Sequence, residues 1–246
     1  TTSPAAHKAS MEWSDALARG GAAEFGGEAE KNGMMPLRIA AARLLSCEVA
    51  DVCVGSSATE LLCSLAWAVS PSGGSNIVST RTAFPSTVYP WSRVAEENGA
   101  EIRLADHDEA LYTNPDDILD LIDDATSVVT LSHVEYSNGQ RYDIRRFADA
   151  AHSVGALLVV DATQSMGMVP IDATLSGADA IVSSGYKWLR GTYGAAVAYI
   201  SPEIRGDLNP GLLGFRSHVD IWDLRADRME LPEDASRFEY TTIHFG

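Results

Sequence analysis

Basic residues are scarce in this sequence. Lys and Arg total 18 against 34 Asp and Glu, a formal net charge of −16. A surface of that sign repels a polyanion, which excludes nucleic acid as an expected partner. Cysteine is scarce as well. Cys47, Cys53 and Cys63 are odd in number and lack C-x-x-C spacing, which argues against a disulfide framework or a zinc site. Buried free thiols in a reducing, cytoplasmic compartment are expected instead. No run reaches the roughly 18 consecutive apolar residues of a membrane span, so no membrane association is expected. Three binding fingerprints are also missing. There is no G-x-G-x-x-G after a strand pattern, no G-x-x-x-x-G-K-[ST] and no H-E-x-x-H, which removes the dinucleotide fold, the P-loop and the common zinc-hydrolase helix.

What is present is a large apolar fraction in a regular arrangement. Of 246 residues, 46% are hydrophobic, enough for one sizeable core. Strands are predicted at Asp51–Val54, Asn76–Ser79, Glu101–Leu104, Ser127–Ser132, Leu157–Val160, Ala180–Ser183 and Ala195–Ile200. Helices are predicted over residues 36–47, Ala58–Val69, Val88–Asn98, Pro115–Asp123 and Ile144–Ser153. This alternation is the mark of an α/β domain with a mostly parallel sheet. In such sheets ligands bind beyond the carboxyl ends of the strands. Asp161 follows the apolar run 156–160, and Lys187 lies a few residues past the run 178–182. Both are therefore expected to face one crevice.

A third element joins them. Gly55-Ser56-Ser57-Ala58-Thr59-Glu60 links a strand to an apolar helix, so the free N–H groups of its first turn, with the hydroxyls of Ser57 and Thr59, offer an anion cradle; an ordinary Ser N-cap is the alternative. A phosphate anchor, a carboxylate for a pyridine nitrogen and an amine for an aldehyde are the requirements of pyridoxal phosphate.

The ordered motifs are more specific than any one residue. Asp161-Ala162-Thr163-Gln164-Ser165 is followed by Gly167, Pro170-Ile171-Asp172, Gly177-Ala178-Asp179 and Ser184-Gly185-Tyr186-Lys187-Trp188. The series resembles the class V aminotransferase group of fold-type I pyridoxal-phosphate enzymes, which includes cysteine desulfurases, isopenicillin N epimerase-like proteins and kynureninases. The resemblance implies an α/β large domain over residues 46–246 with a mostly parallel seven-stranded sheet flanked by helices, after an N-terminal segment 1–45. A small C-terminal domain would lie beyond residue 246.

The resemblance also implies roles. Lys187 forms the Schiff base, and Asp161 pairs with the pyridine nitrogen. Gln164 donates to the ring oxygen, Thr163 packs on one ring face and Phe84 stacks on the other. Ser57, Ala58, Thr59 and Ser184 hold the phosphate. Tyr136 and Tyr186 complete the site, and Thr242 reaches the phosphate of a neighbouring subunit, so that a homodimer shares its active sites. Thr241 stands where the family has Gly in that last motif. Tyr186, in place of the desulfurase His, and the Tyr136-x-x-Gly139-Gln140 pattern look kynureninase-like, whereas Gln164 stands where kynureninases have His.

The expected activity is Cα-proton abstraction from an amino-acid substrate, leading to transamination or Cβ–S cleavage. Kynureninase-like hydrolysis and a non-catalytic protein that keeps the fold are the alternatives. His133, His152 and His218 are further acid–base candidates, and no metal is expected.

Overall fold

A computed structural model describes residues 2–21 and 26–243; the expected domain span 46–246 therefore runs three residues past the described ones. One seven-stranded sheet crosses the chain in the order β1-β7-β6-β5-β4-β2-β3. Its strands are β1 Val52–Gly55, β2 Asn76–Thr80, β3 Glu101–Ala105, β4 Thr126–Ser132, β5 Leu157–Asp161, β6 Ala180–Ser184 and β7 Ala196–Ile200. β7 runs antiparallel to both neighbours, β1 and β6, and the other pairs are parallel. All seven predicted strands are found, with ends that differ by no more than one residue. The carboxyl ends of β2, β4, β5 and β6 consequently share one edge.

Helices cover both faces, which is why the strands read as continuous apolar runs rather than alternating ones. α3 Met35–Leu45, α6 Pro115–Leu119, α7 Ile144–Ser153 and α8 Ala173–Ser176 lie on one face. There Leu45, Ile118 and Phe147 pack against Val54, Val129, Leu158 and Ile181. α4 Ala58–Val69 and α5 Pro85–Asn98 lie on the other, where Leu62, Leu65 and Trp91 meet Cys53, Val128, Val159 and Val182.

The departures from sequence expectation have local causes. α5 starts at Pro85, three residues earlier than predicted, because proline at the first helical position gives up an N–H that has no helical partner anyway. α6 stops at Leu119, short of Asp123. Asp123 is taken by tertiary bonds instead, accepting from Asn76 Nδ2 at 2.8 Å and from Arg103 Nη1 at 2.6 Å. Two helices with no sequence counterpart precede the core, α1 Pro4–Gly20 and α2 Gly27–Asn32. α1 buries no residue of its own, and its start is held where Ser3 N donates to Arg190 O at 2.8 Å. α9 Pro202–Arg205 ends the regular helices. Of the three free thiols only Cys53 is buried, while Cys47 and Cys63 are half-buried, a correction to the expectation for all three.

β1 is an edge strand, and charged side chains close its free edge. Arg38 Nε donates to Val52 O at 2.9 Å, and Val54 N donates to Glu239 Oε1 at 3.0 Å. Arg38 also pairs with Asp234 at 3.1 Å. Unpaired strand edges invite association with other chains, and a covered edge avoids it. Removing one member of a buried ion cluster strands the other charges, at about 3–5 kcal/mol. Arg38→Met is therefore expected to lower unfolding stability in urea by that order. Arg43→Met, on the exposed side of the same helix, should change it by less than about 0.5 kcal/mol.

Candidate active site

Asp161 is the last residue of β5 and is 5% exposed. A carboxylate out of water needs donors, and two are present. Thr163 N donates to Oδ1 at 2.9 Å through the tight turn after the strand, and Thr87 Oγ1, from the first turn of α5, donates to Oδ2 at 2.9 Å. The parallel register sets Ser132, the last residue of β4, beside Asp161. All but Thr87 border one pocket at the strand ends.

Lys187 borders the same pocket from the turn after β6. That turn closes through Gly191 N to Gly185 O at 2.8 Å and Arg190 N to Lys187 O at 3.1 Å. Gly185 is required there, because a Cβ would stand 2.9 Å from Ala195 O. Among the described residues Lys187 makes no ion pair, and its Nζ lies 5.8 Å from the centre of the Tyr186 ring. Tyr186 itself stacks on Tyr193 at 4.7 Å.

The anion cradle is partly as expected. Ala58 and Thr59, at the start of α4, and Ser184 all line the pocket. Ala58 N donates to Ser184 Oγ at 3.3 Å, and Thr59 Oγ1 donates to Ser86 Oγ at 2.8 Å. Ser57 is a correction: its hydroxyl accepts from Glu60 N at 3.1 Å as an ordinary N-cap and does not line the pocket. Glu60 turns back to bind Ser56 through its N–H at 3.1 Å and also through its hydroxyl. A Cβ at Gly55 would meet Glu60 Oε1 at 2.8 Å and Leu61 Cγ at 2.9 Å, so a larger residue there would have to push both side chains aside.

Phe84, Tyr136, Thr163 and Gln164 also line the pocket. Phe84 and Tyr136 meet edge to face at 5.3 Å and 82°. Thr242 lies elsewhere, its hydroxyl donating to Glu30 Oε1 of its own chain at 2.8 Å. The histidines do not join the site. His133 borders a separate small cavity behind β4, and burial, then the charge of Arg141, pulls its pKa down to about 4. His152 pairs with Asp179 at 2.9 Å, and His218 is buried beside Asp220 and Asp223.

Sequence reading missed Thr87, Ser86, Ser132 and Glu135. The first three were findable, since two follow the Phe84-Pro85 pair and one ends the strand beside Asp161. Glu135 lies directly before Tyr136, in a segment whose resemblance to the family's active-site loop marks the stretch but not this residue. It is 1% exposed, accepts from Thr80 Oγ1 at 3.2 Å through Oε1, and has no partner for Oε2 among the described residues. Burial pushes its pKa up to about 7; the Asp161 charge adds to this, and the hydroxyls of Thr80, Ser132 and Thr82 nearby oppose it.

Residues 5–243 match the family model for class-V aminotransferases, and the chain belongs to that family. A probable cysteine desulfurase of Methanothermobacter thermautotrophicus is 32% identical over 171 residues, 70% of this chain and 42% of the relative. A kynureninase of Deinococcus radiodurans is 33% identical over 195 residues, 77% of this chain and 46% of the relative. The chain thus spans less than half the length of these relatives. Among solved structures, the cystine C-S lyase C-DES in complex with its reaction product cysteine persulfide has a TM-score of 0.88 at 21% identity. The match covers 99% of this chain and 65% of that one. Likeness at that identity shows the fold, the large-domain α/β architecture of fold-type I pyridoxal-phosphate enzymes.

The raised Glu135 pKa has a sign that can be measured. An unfolded Glu titrates near 4.3, so between about pH 4.5 and 7 the folded chain binds the extra proton, and stability is lost as pH rises through that window. Glu135→Gln removes this dependence. In urea unfolding of the cofactor-free chain, the stability difference between variant and wild type should grow in favour of the variant from pH 5 to pH 8, by on the order of 2 kcal/mol. A difference that stays flat with pH would place the Glu135 carboxyl in ordinary solvent contact.

Proposed function

We propose that the pocket holds pyridoxal 5'-phosphate and that the protein acts on an amino acid by removing its Cα proton. The observation that carries this reading is an acid and a lysine, the latter without an ion pair among the described residues, bordering one pocket past neighbouring strand ends together with a helix N-terminus and the hydroxyls of Thr59, Ser86 and Ser184. These residues fit the group. When bound, it supplies an aldehyde that captures amines and a ring that accepts electrons.

Each protein residue then has a task. Lys187 would be the nucleophilic amine that holds the group and, with substrate bound, the base for the Cα proton. Asp161, held by Thr87 and Thr163, presents a fixed carboxylate to a ring nitrogen. A carboxylate facing that nitrogen would favour its protonated form. Thr59, Ser86 and Ser184, with the free N–H groups of the α4 start, bind the phosphate. Phe84 and Tyr136 wall one side and limit water.

We assign the reaction to transamination or Cβ–S cleavage. Kynureninase-like hydrolysis is the second reading, favoured by Tyr136 in the pocket wall and by the kynureninase relative. A homodimer with shared sites belongs to the same proposal; the exposed Leu213 and Phe215 support it.

The holoprotein is expected to absorb in the visible, and borohydride should fix the cofactor to Lys187, read by peptide mass spectrometry. Label on a different lysine, or on none, defeats the assignment. Asp161→Ala should retain the labelling and slow exchange of the substrate Cα proton in deuterated water by at least about 100-fold. Comparing cysteine, alanine and kynurenine as substrates separates the reaction classes by whether sulfide, an oxo acid or anthranilate is released.

A further inference from the structure

The indole Nε1 of Trp188, the residue after Lys187, donates to Gln164 Oε1 at 3.1 Å. An indole N–H can only donate. It therefore decides which end of the Gln164 amide is which: the oxygen faces Trp188, and the NH2 is the group left for the pocket that Gln164 lines. A second contact joins the same two turns. Gly167 has φ +96°, and a Cβ there would lie 2.8 Å from Trp188 O and 3.0 Å from its carbonyl carbon. The turn that carries Gln164 thus rests its backbone on the residue that follows the lysine.

We propose that Trp188 is a positioning residue that locks Gln164 as a hydrogen-bond donor toward the ring oxygen of the group attached to Lys187. Without the indole, rotation of the amide by 180° would turn an acceptor toward that oxygen, and two acceptors repel. The proposal rests on the pyridoxal-phosphate reading of the pocket. It makes the electronic state at Lys187 depend on a side chain that touches neither cofactor nor substrate.

The test is a pH titration of the visible absorption band in four proteins: wild type, Trp188→Phe, Gln164→Ala and the double variant. Phe keeps an aromatic ring at a half-exposed position and removes the donor. A ring oxygen that loses its donor becomes more basic and holds the proton it shares with the lysine nitrogen more tightly. The midpoint in Trp188→Phe should therefore rise, by about half a unit to one unit. The other titratable groups that line the pocket, Asp161, Tyr136 and Tyr186, are present in all four proteins. In the Gln164→Ala background the Trp188→Phe change should add no further shift.

An unchanged midpoint in Trp188→Phe overturns the proposal, as does an equal shift with and without Gln164, which would mark a general loosening of the turn. A wild-type chain with no visible band and no borohydride label defeats the cofactor reading itself, and this proposal with it. Should Trp188→Phe fold poorly, the cofactor-free chain provides a second measurement. The Trp188 indole N–H signal in a nitrogen-15 spectrum should move on Gln164→Ala, and a signal that stays in place refutes the contact.

Discussion

The carboxylate of Asp161 sits at the end of a central strand with almost no water around it, and it is stable there only while donors from two separate elements face it. One donor belongs to its own turn and the other to Thr87 on α5. Thr87 is anchored in turn, its carbonyl accepting from Thr130 Oγ1 of β4 at 3.3 Å. Satisfying one charge therefore fixes the start of α5 against two strands, and Phe84, the residue before that helix, is placed as a consequence. The same circuit continues the other way. Thr163 Oγ1 accepts from Ser184 N at 3.2 Å, and Ser184 Oγ accepts from Ala58 N at 3.3 Å. The floor of the pocket is one chain of hydrogen bonds from α5 to α4, so its acid, its lysine-bearing turn and its anion cradle are positioned together.

Glu135 shows the opposite solution to burying a carboxyl. It lies in the segment after β4 that also supplies Val134 and Tyr136 to the pocket wall. One of its oxygens has no partner among the described residues, an arrangement that favours the protonated form. Two carboxyls thus approach the same strand ends in different surroundings. A second full charge behind Asp161 would repel the first, and the burial that raises the Glu135 pKa to about 7 weakens that repulsion.

Most of this was legible from residues because the chemistry and the sheet share a cause. Parallel strands buried on both faces read as apolar runs, and polar residues that interrupt the end of such a run have to face the one edge where ligands bind. Asp161 and Lys187 were visible for that reason, as were Ala58, Thr59 and Ser184. What the pattern did not carry was side-chain direction. Ser57 and Thr59 look equivalent two positions apart at a helix start, yet the first caps the helix by accepting from Glu60 N outside the pocket lining, and only the second borders the pocket. His133 follows β4 directly but borders the cavity on the far side of that strand. Pairings across long separations, such as Asn76 and Arg103 on Asp123, leave no local trace and shortened α6 unannounced.

The edge of β1 links the site to α2 and to the last described residues of the chain. Arg38 and Glu239 hold the free backbone groups of the strand that runs into Gly55 and the anion cradle, and Arg216 donates to Glu30 at 2.9 Å within the same cluster. Thr242 belongs to this cluster through Glu30. A hydroxyl has a single proton to give, and a phosphate offers only acceptors. To serve a neighbour's phosphate, Thr242 must release Glu30, leaving Oε1 of that buried carboxylate to Arg216 alone. On the proposed reading a cross-subunit contact would therefore carry a cost that the in-chain donors Thr59, Ser86 and the α4 start would not, and a bound phosphate would rest first on the chain that also holds the lysine.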